Sequence, residues 1–108
     1  MKIPQNIETT LRQLAAKRET LNCYLYDTKP MSAKIAHLAK IMPQGVEIYY
    51  AMKANPHQAF LVAALESGAR GIEIASLGEA EKAVAAGFKP QQLIYTGPGK
   101  SPAELRWA

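Results

Sequence analysis

Cysteine is almost absent. Cys23 is the only one in 108 residues, so no internal disulfide can brace the fold, and a reducing, cytosolic setting fits. Cys23 is expected as a buried strand residue rather than a reactive thiol. Long apolar runs are also missing: the longest, Ala59 to Leu65, is far short of a membrane span. The start, Met1-Lys2-Ile3-Pro4-Gln5-Asn6, has no apolar leader, which argues against secretion by that route. Charge is unclustered. The net charge is +4, but Lys34, Lys40, Lys53, Lys82, Lys89, Lys100 and Arg106 are dispersed and only Lys17-Arg18 is an adjacent pair. Neither a nucleic-acid patch nor a membrane partner is expected from this pattern. Two histidines and one cysteine give no zinc-type cluster, and no Ser-His-Asp order can be argued from them. His37 is expected on a helix surface and His57 in a first helical turn. There is no G-x-G-x-x-G, and Gly97-Pro98-Gly99-Lys100 lacks the spacing of a P-loop, so it reads as a strand-to-helix turn.

What is present is globular. Hydrophobic residues make up 48% and charged residues 20%, enough for one domain with a real core. Asn6 is placed to cap a first helix with Ile7, Leu11, Leu14 and Ala15 at helical spacing. Leu21 to Tyr26 reads as a strand stopped by Asp27-Thr28-Lys29-Pro30. Ser32 opens a helix with Ile35, Leu38, Ala39 and Met42 on one face, ended by Pro43-Gln44-Gly45. A unit then repeats in pattern. Val46 to Met52 is a strand, Asn55-Pro56 opens a helix, and Gly68 closes it. Gly71 to Ala75 is a strand, Ser76 opens a helix, and Gly87 closes it. Leu93 to Thr96 is a strand, and Ser101-Pro102 opens a last helix. The spacing suits parallel strands joined by helical crossovers, an α/β class. A full (β/α)8 barrel needs about 250 residues. The last helix starts strongly and has little room before Ala108, so the chain is expected to be the N-terminal part of something longer.

Alternation along Val46 to Lys53 puts Val46, Ile48, Tyr50 and Met52 on one face and Glu47, Tyr49, Ala51 and Lys53 on the other. In a barrel the second face is the interior. Lys53 then stands at the carboxyl end of its strand, where α/β folds place their active sites. A partly desolvated amine there can attack a carbonyl; the alternative is a solvated residue at a strand end. In Gly71-Ile72-Glu73-Ile74-Ala75 the isoleucines face the helices and Glu73 faces inward, paired either with a cation at Lys53 or in an ordinary salt bridge. Ser76 with Glu79, and Ser101 with Glu104, match the capping box. Capping is their first role, although Glu79 also lies near the carboxyl end of a strand.

Tyr50-Ala51-Met52-Lys53-Ala54-Asn55 resembles the Tyr-Ala-x-Lys-x-Asn motif of the fold-type III pyridoxal-phosphate decarboxylases, which act on ornithine, arginine, lysine, diaminopimelate and related amino acids. The likeness extends to Cys23-Tyr24-Leu25-Tyr26-Asp27, to Gly71 through Glu79 (the family's Asp-x-x-Ser-x-x-Glu stretch), and to Ile94 through Ser101. It runs in order from about residue 21 to the end.

The resemblance implies that Lys53 holds pyridoxal 5'-phosphate as a Schiff base, with Glu73 beside it as the second catalytic residue. Ala51, Ser76 and Glu79 join Lys53 and Glu73 around the cofactor. Glu73 departs from the family's usual Asp by one methylene. Residues 1–30 would join a second, β-rich domain, and residues 31–108 would form about three strand-helix units of an incomplete (β/α)8 barrel. The phosphate loop, the partner of the pyridine nitrogen and the substrate-selecting residues come later in such enzymes, so the isolated chain is expected to be inactive. The implied parent is a cytoplasmic, homodimeric lyase acting on a basic or diamino acid. The alternatives are a fold-type III racemase, another pyridoxal-phosphate-binding barrel, or a non-catalytic truncated module. Racemases usually follow Lys-Ala-Asn with Ala-Tyr-Gly-His-Gly; Pro56-His57-Gln58 stands here instead.

Overall fold

Local signals set most element boundaries in the computed structural model, which describes residues 3–18 and 20–107. Met1-Lys2, read above for a leader, and the closing Ala108 lie outside them. The first helix, α1 (Gln5–Ala15), is preceded by Pro4. Asn6 does not cap it. Its amide donates to Asp27 Oδ2 at 2.7 Å, tying α1 to the start of the next helix. That helix, α2 (Lys29–Ile41), begins before Ser32 because Asp27 accepts the Lys29 N–H at 3.0 Å and Pro30 fits the first turn. The Lys29 N–H, and after it the Asn6 amide, hold the Asp27 carboxyl below the usual carboxylate range.

Leu21–Tyr26 forms no strand and pairs with none of the three strands of the sheet. Cys23 is accordingly exposed rather than buried, and Tyr24 is 90% exposed.

The sheet comprises β1 (Tyr49–Ala51), β2 (Gly71–Ile74) and β3 (Leu93–Tyr95), all parallel and in the order β1-β2-β3. Strand β1 is shorter than the Val46–Met52 expected, since Met52–Ala54 coil into a 3₁₀ turn. Crossovers run through α3 (Gln58–Glu66) and α4 (Leu77–Ala85), and α5 (Pro102–Trp107) follows β3. Gly68 and Gly87 have φ of +100° and +103°, as left-handed helix ends require. Gly71 answers to space instead: a Cβ there would collide with the Gln92 carbonyl oxygen and the Tyr49 ring.

Register sorts the side chains into two rows. Tyr50, Ile72 and Leu93 are level on one face; Ala51, Glu73 and Ile94 are level on the other. The first face meets the helices. Ile72 and Ile74 are buried there with Met52, Leu61, Ala80, Ala83, Ala86 and Phe88. Tyr50 links this core to a smaller one of Ile35, Ala64 and Ala69 beneath α2. Charged groups are kept off the helix-facing side, which leaves the chemistry to the opposite row and the strand ends.

Candidate functional site

The carboxyl ends of the three strands bring the proposed residues to one rim. Lys53 lies in the 3₁₀ turn after β1 and is exposed, next to the fully buried Met52. The partial desolvation expected for its amine is therefore not seen, since a wall of three strands leaves solvent on one side. The turn itself is well fixed. The Tyr50 hydroxyl donates to the Asn55 carbonyl at 3.1 Å, and Asn55 Oδ1 accepts the His57 N–H at 3.0 Å. Burial pushes the Tyr50 phenol up. Helix α3 starts at His57 rather than at Asn55-Pro56, because His57 Nδ1 accepts the Ala59 N–H at 3.2 Å. The sequence reading treated His57 as an ordinary polar residue and missed this capping role.

Ala51, the small residue of the inner row, is level with Glu73 on β2. Glu73 is half-buried, and among the described residues it takes part in no ion pair; the pairs formed there are Arg12–Glu8 and Arg70–Glu47. Its partner is the Thr96 hydroxyl, which donates to Oε1 at 2.7 Å. Sequence reasoning missed Thr96, because a bond across 23 positions depends on strand register.

Ser76 and Glu79 cap α4. Ser76 Oγ accepts the Glu79 N–H at 3.2 Å, and Glu79 Oε2 accepts the Ala75 N–H at 2.7 Å, one residue earlier than a strict capping box. The β3–α5 turn closes against this segment: a Cβ on Gly97 would come within 2.7 Å of the Ala75 carbonyl oxygen. Lys100 donates to the Gly97 carbonyl at 2.6 Å and lies 5.1 Å from the centre of the Tyr95 ring, so Gly97-Pro98-Gly99-Lys100 is a self-closed turn between strand and helix.

Glu104 fastens the far side of the rim. Its Oε1 accepts the Tyr95 hydroxyl at 2.6 Å and its Oε2 accepts the Ser101 N–H at 2.7 Å, while Ser101 Oγ accepts the Glu104 N–H at 3.2 Å. The Tyr95 bond, then the Ser101 bonds, bring the Glu104 carboxyl down to about 2 from an ordinary 4.5. The same bond to Glu104 pushes the Tyr95 phenol up to about 12. Because the folded-state value is depressed, Glu104 contributes stability that is complete above the ordinary value and fades as pH falls toward the folded one. Thermal melts from pH 7 down to 2.5 should show Glu104→Gln less stable than wild type at pH 7, with the difference narrowing below about pH 4.5. A difference independent of pH would contradict this role.

Comparison with known proteins bears on the family of the chain. Residues 29–108 match the family model described as pyridoxal-dependent decarboxylase, pyridoxal binding domain. A 2-[(L-alanin-3-ylcarbamoyl)methyl]-2-hydroxybutanedioate decarboxylase of Staphylococcus aureus is 35% identical over 103 residues, covering 94% of this chain and 25% of that protein. Diaminopimelate decarboxylases of Zymomonas mobilis and Deinococcus radiodurans are 31% and 39% identical, over 91% and 85% of this chain and 24% of each relative. The chain thus spans about a quarter of the length of these curated relatives. Its α/β fold, with three parallel strands in chain order, is the incomplete N-terminal part of a (β/α)8-type barrel. The chain belongs to the pyridoxal-dependent decarboxylase family and lies in that family's pyridoxal-binding domain.

Proposed function

We propose that this chain is the lysine-bearing part of a pyridoxal-phosphate-dependent decarboxylase acting on a basic or diamino acid, with Lys53 as the amine that anchors the cofactor. The observation that carries the reading is the exposed Lys53 at the carboxyl end of β1, with the Glu73 carboxylate on the adjoining strand level with Ala51. These residues fit the cofactor by their own chemistry. A primary amine captures an aldehyde, a neighbouring carboxylate balances positive charge, and the methyl of Ala51 leaves the space between them open. When bound, pyridoxal phosphate supplies a sink for the electron pair left by departing carbon dioxide.

The chain's own residues do the rest. Lys53 gives its amine to the cofactor and can return a proton from Nζ. Glu73 keeps a negative charge at the rim. Ser76 and Glu79 hold the start of α4 in place behind it, and Ala51 keeps bulk out. The diamino-acid part of the reading draws on the names of the Zymomonas and Deinococcus relatives.

Residues 1–30 are assigned to a contact with a second, β-rich domain, supported by a Leu21–Tyr26 segment that has no strand partner and leaves Tyr24 and Tyr26 exposed. Residues 31–108 are the barrel portion. A cytoplasmic homodimer is the assembly proposed. Among the described residues no helix is long and apolar enough to cross a membrane.

The test is spectroscopic. Full-length protein carrying this segment should develop a lysine-linked pyridoxal absorbance band when the cofactor is added, and borohydride followed by peptide mapping should fix the label on Lys53. The 108-residue chain alone should show little or no band and no turnover. Label on a different lysine of the full-length protein would refute the assignment.

A further inference from the structure

We infer that Thr96 is a positioning residue for Glu73: its hydroxyl selects the carboxylate's orientation at the strand ends and so tunes how firmly the Lys53 site holds its cofactor. The inference deepens the reading of Lys53 as the anchoring amine and rests on it.

The argument starts from register. Glu73 is level with Ala51 on one side and Ile94 on the other. Neither neighbour offers a polar side-chain atom, so nothing on its own level orients the carboxylate. Thr96 lies two residues beyond Ile94, and Lys53 two residues beyond Ala51. The 2.7 Å bond from Thr96 Oγ1 to Glu73 Oε1 therefore draws the carboxylate toward the carboxyl end, where Lys53 also sits. Thr96 Oγ1 has one proton and two acceptors in reach. The Ile74 carbonyl lies at 3.5 Å, so the shorter contact to Glu73 takes it. The threonine is itself held by its backbone, whose N–H donates to the Ile74 carbonyl at 2.9 Å.

A glutamate has one more rotatable bond than an aspartate. At a half-buried rim, that extra freedom would spread the carboxylate over several positions unless something fixed it. Thr96 fixes one oxygen and leaves Oε2 as the face presented to the site. Among the described residues, no other hydrogen bond reaches the Glu73 side chain.

The experiment uses the full-length protein and its apo form, with Thr96→Val, Thr96→Ser, Glu73→Gln and the Thr96→Val/Glu73→Gln double variant. Val keeps the shape and removes the donor; Ser keeps the donor. The Kd for pyridoxal phosphate should rise about five-fold in Thr96→Val and stay within about two-fold of wild type in Thr96→Ser. In the Glu73→Gln background, Thr96→Val should add less than about two-fold, because the carboxylate charge that the bond orients is already gone. The melting temperature should be unchanged across the set, since the backbone bond to Ile74 survives each substitution. Independent, multiplicative effects of the two changes, or a Thr96→Val protein that binds as wild type does, would overturn the inference. A wild-type protein whose cofactor band is insensitive to Lys53→Ala would instead remove the reading beneath it, and the inference would fall with it.

Discussion

Replacing Lys53 by alanine in the full-length protein should reduce decarboxylation at least about a thousand-fold, the scale on which loss of a covalent or proton-transferring group is felt. The expected defect is chemical rather than structural. Lys53 is exposed and belongs to neither buried cluster, whereas its neighbour Met52 is fully buried and Tyr50 ties the turn to Asn55. The 3₁₀ turn should therefore survive, and the melting temperature of the apo protein should barely move. Lys53→Arg makes the comparison sharper. It keeps a positive charge at the end of β1 but cannot capture an aldehyde, because the guanidinium stays protonated. Both variants should lose the lysine-linked absorbance band and fail to be labelled at position 53 after borohydride. Turnover by Lys53→Ala at the wild-type rate would end the functional proposal.

The second large effect concerns stability. Phe88 is 2% exposed and is among the largest fully buried side chains, packed with Met52, Leu61, Ile72, Ile74, Ala80, Ala83 and Ala86. Truncating it to alanine should cost about 3–5 kcal/mol, combining lost transfer free energy with a cavity that a cluster shared by two helices and the sheet cannot close. Folded domains have roughly 5–15 kcal/mol in all, so the full-length variant should unfold at a much lower urea concentration or be unfolded at room temperature. Phe88→Leu, which keeps most of the volume, should cost under about 1.5 kcal/mol. Urea melts followed by far-UV circular dichroism would decide. A Phe88→Ala midpoint close to wild type would mean that the helices and sheet are held together by something other than this core.

Features governed by near neighbours were legible in the sequence. Ser76-Leu77-Gly78-Glu79 and Ser101-Pro102-Ala103-Glu104 announced helix starts, and both serines accept the expected N–H. Gly68 and Gly87 marked helix ends. Alternation in Gly71–Ala75 separated the buried isoleucines from Glu73. Features that depend on distant partners were harder to read. Asn6 looked like a cap but is engaged by Asp27, 21 positions away. Leu21–Tyr26 has strand composition, yet composition cannot supply a partner strand, and Cys23 is exposed as a result. The contact of Glu73 with Thr96 needs the register of β2 on β3, which no local pattern encodes. Lys53 was singled out from its place at a strand end and from the motif around it, and its exposure matches the solvated alternative rather than the partly desolvated one.

The strand order β1-β2-β3 repeats the order of the chain. Each strand pairs with its immediate predecessor, and the helix between them covers the pair. Among these three strands, none must wait for a later one to be inserted between it and its neighbour. A polypeptide leaving the ribosome N-terminus first can lay this wall down one crossover at a time, with Ile72 and Ile74 already sheltered under α3 and α4 before the next strand is translated.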